Sequence, residues 1–453
     1  MEEMEDDMKK VITYGTFDLF HEGHYNILKR AKTYGDYLIV GVTGENYDTQ
    51  RGKLSVHDSL SKRIENVRKT GFADLIIVEE YVGQKIYDII KYEVDVLVIG
   101  SDWRGKFDHL SEYCEVKYLE RTKNISSTQI RNTEMKLYRF GIVTDDVWDN
   151  KVVEESKTIS GLSIESVYAS DLNLAKQFAK KYKIPKSFTS YEDFLESVDI
   201  LYIKTALPTR VEYIEQALKC GKHVISDIPP SLKKEKLQHL RELSKTHHAF
   251  LLNNVPMLYL HSFSQLVWMA RSNMIGNILS VHCSISKNHF TKFHKKDLCE
   301  VAYHPICTIF KIMGTAYKDC FCKYIRDEKN NLVYMLITIV FDNAIASIEV
   351  GENVDIKEGI TIIGSEGKIS ILDKWWNLRY FKMKKKKEED FRRFSFHFEG
   401  NGFRYILQFI LHHLRNAAIP SPRVSEEEMF AMIKICKQIK KEEKKAKKQE
   451  GGL

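Results

Sequence analysis

The stretch Tyr14-Gly-Thr-Phe-Asp-Leu-Phe-His-Glu-Gly-His24 constrains this chain more than any other. An apolar run, Val11-Ile12-Thr13, precedes it and an amphipathic segment, Tyr25 to Lys32, follows, an order that predicts strand, tight turn and helix. Gly15 is expected to supply the sharp turn, and Gly23 to let backbone approach a ligand closely. Amides that open a helix attract an anion. His21 and His24, three apart, can donate to phosphate oxygens of one ligand. The same pair could be two surface residues or half of a metal site. No Cys-x-x-Cys or His-Glu-x-x-His pattern supplies further metal ligands, however, and a glycine turn after a strand is where a phosphate site belongs. The stretch reads as a nucleotide site.

The remaining chemistry is bounded by composition. A chain of 453 residues with 43% hydrophobic and 29% charged residues is an ordinary globular sequence long enough for two to four domains. The net charge of +7 is partly local, concentrated in Lys384 to Lys387 and Lys440 to Lys448. Without periodic aromatic interleaving, it gives little reason to expect nucleic-acid binding. Eight scattered cysteines suggest reduced thiols. An acidic, polar start argues against a signal peptide, and no apolar run of membrane-spanning length occurs. The expectation is a cytoplasmic protein with no membrane span.

Downstream, Asp36 to Val42, Leu75 to Val78 and Val94 to Ile99 read as buried strands, with helices between them. That alternation predicts a parallel sheet, whose ligands bind beyond the carboxyl ends of the strands. Two polar segments begin at such ends. One is Gly100-Ser-Asp-Trp-Arg-Gly-Lys-Phe-Asp108; the other is Glu120-Arg-Thr-Lys-Asn-Ile-Ser-Ser-Thr-Gln-Ile-Arg131.

In this order the three motifs resemble those of the glycerol-3-phosphate cytidylyltransferases, members of the HxGH nucleotidyltransferase superfamily. Asn124, where that family usually has Gly, is one departure. The resemblance implies attack by a substrate phosphate on the α-phosphorus of CTP, with pyrophosphate leaving and Mg2+ offsetting the triphosphate charge without protein ligands. It implies catalytic roles for His21, His24, Lys53, Arg63 and Arg121. Nucleotide binding would fall to Gly15, Thr16, Phe17, Asp102, Thr122, Ile125, Ser126, Ser127 and Thr128. Trp103, with Lys53 and Arg63, would face the acceptor, a phosphorylated polyol or ketose. Asp18 could be a turn residue only, and Ser126 and Thr128 could equally cap a helix.

A new strand is expected at Lys136 to Val143, followed by a second βαβ series through Gly221-Lys-His-Val-Ile-Ser226 and then a strand-rich region from about Ile278. Tyr168-Ala-Ser-Asp171, Ala217 to Val224, Asp227-Ile-Pro229, His304 with Gly314, and Gly364-Ser-Glu-Gly367 resemble the Gfo/Idh/MocA oxidoreductases. The fold implied is α/β: a Rossmann-like HxGH nucleotidyltransferase domain, then a Rossmann-fold domain with an α+β open antiparallel-sheet subdomain. Expected bounds are 1–134, 135–265 and 266–436, with a basic tail over 437–453.

The cofactor positions depart from the oxidoreductase pattern. Gly141-Ile-Val-Thr-Asp-Asp-Val-Trp148 lacks the later glycines, and Asp145 and Asp146 would repel a pyrophosphate. The usual active-site lysine is Ile228, Arg210 stands where a histidine is common, and Cys307 stands where an aspartate is. His304 remains a candidate proton donor and Asp171 a candidate ribose ligand. The unit is therefore expected to be a cofactor-impaired scaffold, with an active NAD(P)H-dependent reductase as the alternative. A homodimer is expected because both families commonly form one.

Overall fold

The computed structural model describes residues 8–44, 47, 56–81, 83–120, 137–147, 151–286, 298–328, 332–352, 354–372, 374–415 and 422–450. Met1–Leu137 belong to one compact unit, and Tyr138–Phe396 and Gly400–Leu453 to another.

The first unit runs β1 (Lys10–Gly15), α1 (Glu22–Lys32), β2 (Tyr37–Thr43), α2 (Leu60–Lys69), β3 (Leu75–Glu79), α3 (Gln84–Tyr92), β4 (Val96–Gly100) and β5 (Glu115–Leu119). Its five strands are parallel in the order β3-β2-β1-β4-β5. Alternate residues of each strand feed opposite faces. Val11, Val40 and Val98 join Leu28 of α1 and Val67 of α2 on one side, while Ile12, Ile39 and Leu97 join Ile89 of α3 on the other. Strands buried on both faces must be apolar throughout, which is why they read as uninterrupted apolar runs. The order reverses between β1 and β4, so the segments after those two strands flank the switch point where such sheets bind ligands.

In the second unit, β6 (Tyr138–Thr144), α4 (Lys151–Lys157), β7 (Leu162–Tyr168), α5 (Leu172–Tyr182), β8 (Lys186–Phe188) and α6 (Tyr191–Glu196) come first. Then follow β9 (Ile200–Lys204), α7 (Leu207–Lys219), β10 (His223–Ser226), α8 (Lys234–Thr246), β11 (Leu251–Asn253) and α9 (His261–Arg271). The six strands are parallel, ordered β11-β10-β9-β6-β7-β8, with the switch point between β6 and β9. Gly141 in β6 is required by packing: a Cβ there would meet Val198 and Phe194 at 2.5 and 2.6 Å.

A third sheet follows, built from β12 (Ile278–Ser286), then, after α10 (Leu298–Met313), β13 (Asp319–Arg326), β14 (Leu332–Val340), β15 (Ile345–Gly351), β16 (Gly359–Gly364), β17 (Gly367–Leu372), β18 (Tyr380–Lys385) and β19 (Arg392–Ser395). It is antiparallel except where β12 lies parallel to β15. The chain ends in α11 (Phe403–Arg415) and α12 (Glu426–Glu450). One face of the sheet is covered: α10 packs over β12 and β15, and α12 over β13. On the other face Phe321, Ile325 and Ile345 are exposed.

The apolar stripe of α12 is Met429, Met432, Ile433, Cys436 and Ile439, all buried, with Phe430 half-exposed beside it. Lys384 and Lys385 end β18, and the turn to β19 carries the rest of the basic run, as a solvated hairpin tip requires. The seven described cysteines are free thiols, and among the described residues no helix is long and apolar enough to cross a membrane.

Candidate active site

The loop between β1 and α1 begins with an unexpected division of labour. Gly15 does not make the turn through a left-handed backbone. It is small because a Cβ there would press against the Phe17 ring at 2.9 Å. Phe17 (φ 52°) and Leu19 (φ 47°) adopt the left-handed region themselves, at a steric cost that buried contacts must offset. Two groups hold them there. The buried Asp18 carboxylate accepts from the amides of His57 (2.9 Å) and Asp58 (2.8 Å), tying the loop to the start of α2. The Phe17 ring is itself core.

Helix α1 starts at Glu22, three residues earlier than its apolar spacing suggests, because His21 caps it. The His21 Nδ1 accepts from the amide of Gly23 at 3.0 Å. A ring nitrogen that accepts from an amide carries no proton, so the proton of the neutral ring lies on Nε2. His24, in the first turn, stacks on His21 with ring centroids 3.9 Å apart and planes 23° from parallel. Phe17 and Phe20 each approach the His24 ring with centroids at 5.5 Å. The two half-buried imidazoles are thus fixed together at the amino end of a helix, a position that favours anions.

Arg63, expected at a phosphate, is tied into the fold by contacts of its own. Its guanidinium is fully buried and donates to the carbonyls of Thr16 (2.8 Å), Thr43 (2.7 Å) and Asp58 (3.1 Å). It joins the catalytic loop, the end of β2 and the start of α2 from beneath. These contacts make Arg63 a support of the loop that carries His21 and His24.

The segment after β4 stands across the switch point. Asp102 is exposed within a short 3-10 turn, Ser101–Trp103, and Trp103 is half-exposed. The Trp103 ring lies 5.7 Å from Phe107, and the Lys106 ammonium lies 5.0 Å above it. Tyr118 donates to Asp108 at 2.6 Å and accepts from the Phe107 amide at 3.3 Å, fixing the end of the segment. Lys53, Arg121, Thr122, Ile125, Ser126, Ser127 and Thr128 lie outside the described residues.

A buried polar cluster under this edge escaped sequence reading. Lys85 pairs with Glu79, and its ammonium lies 4.3 Å from the Tyr14 ring and 5.4 Å from the Phe107 ring. Tyr14 donates to Asp88 at 2.9 Å, Gln84 to the same oxygen at 3.2 Å, and Thr43 to Glu79 at 3.3 Å. Burial pushes the Asp88 carboxyl up, against the hydrogen bonds from Tyr14 and Gln84, and burial with the Asp88 charge pushes the Tyr14 phenol well up. Through Lys85 the end of β1 is therefore coupled to the loop that carries Trp103. The available signal was a helix whose inward positions are Gln84, Lys85 and Asp88 beside an apolar Ile89. Beside the loop between β1 and α1, which lends it Leu19 and Phe20, a cleft of about 710 Å³ is lined also by Tyr25, His57, Lys62 and Lys69, among others.

At the second unit's switch point the groups are arranged differently. The Asp145 carboxylate, just after β6, accepts from the Ala206 amide at 2.6 Å, at the start of α7. The buried Arg210 donates to the carbonyls of Thr205 (2.5 and 3.1 Å), Pro229 (2.8 Å) and Asp227 (3.5 Å). Tyr202 donates to Asp227 at 2.6 Å, and Asn254 donates to both. Asp171, the candidate ribose ligand, opens α5. Its carboxylate caps α5 by accepting from the Leu174 amide at 2.7 Å, the usual work of an aspartate before a helix. His304 sits half-buried on α10, where its carbonyl accepts from Thr308.

Comparison with known proteins agrees with this division. A cytidylyltransferase-like family model matches residues 12–133, and a model of the oxidoreductase family with an NAD-binding Rossmann fold matches 150–255. Over 124 residues the chain is 53% identical to a glycerol-3-phosphate cytidylyltransferase of Bacillus spizizenii, covering 27% of this chain and 95% of that protein. A Bacillus subtilis enzyme of the same name is 47% identical over 126 residues, again 27% of this chain and 95% of the other. The second unit shares its fold with a 3-ketoreductase of Actinomadura kijaniata solved with NADP and TDP-benzene, at a TM-score of 0.56 and 15% identity, covering 66% of this chain and 95% of that one. Through its first unit the chain belongs to the glycerol-3-phosphate cytidylyltransferase family, and an oxidoreductase-like unit follows it.

Proposed function

We propose that the first unit transfers a cytidylyl group from CTP to a phosphorylated polyol or ketose, giving a CDP-polyol or CDP-ketose and pyrophosphate. The observation that carries this reading is the His21 cap. With Nδ1 engaged by the Gly23 amide, the ring presents its proton on Nε2, and His24 stacks beside it. A phosphoryl transfer asks little covalent work of a protein; it needs two polyanions aligned and the charge on phosphorus stabilised. Two imidazoles at the amino end of a helix suit that task. Mg2+ would enter with the triphosphate and hold the leaving group. Trp103 and Asp102 would border the nucleotide and acceptor, while Lys53, Arg121 and the Thr122 to Thr128 segment would close over the phosphates. Gly15, Thr16 and Phe17 would set the floor. The product would feed a surface polymer such as capsule or teichoic acid from the cytoplasm.

The second unit is a cofactor-impaired scaffold in this reading. A dinucleotide's pyrophosphate needs glycine-lined amides at the switch point. There, the Asp145 carboxylate already accepts from Ala206, and Arg210 closes the loops after β9 and β10. Those contacts occupy the switch point, whereas the NAD-binding family model and the NADP-bound fold neighbour favour a dinucleotide, and titration with NADPH decides between the two. The exposed Phe321, Ile325 and Ile345 support a homodimer, which a measurement of solution mass would check.

The test is pyrophosphate release from CTP and Mg2+ with glycerol, erythritol, ribitol and ketose phosphates, each with and without NADPH. Release with one acceptor and no NADPH dependence is expected; no release with any acceptor would end the transferase reading. Enhanced nicotinamide fluorescence on titrating the chain with NADPH would restore the reductase as a second activity.

A further inference from the structure

We propose that the second unit carries a site for a phosphomonoester, away from its Rossmann switch point, in the cleft where the first residue of α8 meets α12 and the segment joining α10 to β13. The cleft holds about 500 Å³, within the range of small-molecule sites. Its walls are Lys234, Thr315, Tyr317, Phe430, Lys434 and Lys437, with Glu427, Ala431 and Ile433 completing them.

Three ammoniums against one carboxylate leave two positive charges in excess. The carboxylate is already engaged, since Glu427 accepts from the Thr315 hydroxyl. Its neighbour Glu428 pairs with Lys311 at 2.7 Å. Lys234, Lys434 and Lys437 make no ion pair among the described residues. Instead, Lys234 rests 4.6 Å above the Phe430 ring and Lys434 5.4 Å above Tyr317. Ammoniums placed so hold a weak partner that an anion displaces readily.

Two further features point the same way. The Tyr317 hydroxyl is shielded from solvent and has no partner among the described residues. Burial pushes its phenol up to about 12, so the proton stays on, and an anion that drew Lys434 off the ring would give the hydroxyl its acceptor. Helix α8 has no side-chain cap at its amino end, and its first residue, Lys234, lines the cleft. Thirteen residues give α8 an appreciable dipole, which favours an anion there. Charge near minus two, three acceptor oxygens and a compact body describe a phosphomonoester. Drawing the ammoniums off Phe430 and Tyr317 would uncover two aromatic faces for the rest of the ligand.

The experiment is calorimetric titration of the full chain carrying His21→Ala and His24→Ala, which removes the imidazoles from the first unit's site. The probes are inorganic phosphate, glycerol 3-phosphate and CMP, with glycerol and cytidine as uncharged controls. One saturable equivalent is expected for the phosphorylated probes and none for the controls. Adding Lys434→Ala and Lys437→Ala should weaken binding about tenfold for each ammonium lost, and Tyr317→Phe should weaken it severalfold. The two lysines are exposed and Tyr317 is half-buried in the cleft wall, and circular dichroism of each variant verifies that it folds. Tighter binding of CMP than of glycerol 3-phosphate assigns the source as a nucleotide, and the reverse order assigns a sugar phosphate. No saturable heat up to about 10 mM ligand, or affinity untouched by the lysine substitutions, overturns the proposal.

Discussion

Replacing Arg63 by methionine separates the two roles that a buried cation near a phosphate site can play. In the structure three carbonyls, of Thr16, Thr43 and Asp58, receive this guanidinium. Methionine fills much of the volume and supplies no donor. Each buried carbonyl left unsatisfied costs about 1–3 kcal/mol, and because the three share one donor the losses do not simply add. A total of about 3–5 kcal/mol for the first unit is the reasoned magnitude. With a urea dependence of about 1–3 kcal/mol per molar, the unfolding midpoint of that unit should fall by about 2 M. Amide exchange along residues 14–21 should accelerate too, since Thr16 anchors the loop that holds His21 and His24. Turnover falls with it, as a consequence of a loosened loop. Arg63→Lys should recover part of both losses by restoring one or two donors. A methionine variant with the parent's urea midpoint and exchange pattern, but no turnover, would refute this account and return Arg63 to direct contact with a phosphate.

Four further outcomes follow from the same geometry. His21→Ala and His24→Ala should each lower kcat by about 10²–10³, the loss typical of one donor to a developing oxyanion, and His21→Ala should also lose a helix cap worth about 1 kcal/mol in urea unfolding; full turnover in the double variant would remove the proposed site. Lys85→Met leaves the buried Glu79 carboxylate without its partner, at a cost of about 3–5 kcal/mol in urea unfolding, and adding Glu79→Gln should recover most of it. Burial works to raise the Asp199 carboxyl, but the hydrogen bonds and charge of Arg139 outweigh it and hold the group below the usual range. A folded-state value below the unfolded one gives stability that is present above about pH 4 and lost as pH falls through the folded value, so the gap between parent and Asp199→Asn should close on acidification. Asp145→Ala bares the Ala206 amide at the start of α7; sulfate should then raise the melting temperature of the variant more than that of the parent, and equal effects on both would deny Asp145 its place as an internal anion.

The fold was legible wherever burial dictates composition. Tyr37–Thr43 and Val96–Gly100 are buried along most of their length and read as strands for that reason. Apolar spacing could not place the start of α1, because a histidine cap and a polar first turn carry no periodic signal. Nor could it show that Gly15 is small to admit the Phe17 ring while Phe17 and Leu19 take the left-handed backbone, because a glycine in a turn suggests the opposite. Lys85 and Asp88 lay hidden in a helix recognised as such, since sequence gives no reason to assign inward polar residues to one another across a sheet edge.

Arg63 and Arg210 show where such reading stops and what settles it. Both are fully buried, and each holds three loop carbonyls at the edge of a parallel sheet. As letters in a sequence, Arg63 was expected at a phosphate and Arg210 was noted only as standing where a histidine is common. Their agreement means that a buried guanidinium in this chain organises loops, so it cannot by itself mark which sheet edge does chemistry. The difference lies at the helix ends. At α1 the cap is a neutral ring that accepts one amide and keeps a proton on its other nitrogen. Beside α7 the amide already receives a carboxylate from the chain itself. An amino end that donates onward suits a phosphate, and one that has been given an internal anion has little left to offer a second. That contrast agrees with the match of the first unit, and not the second, to the cytidylyltransferases.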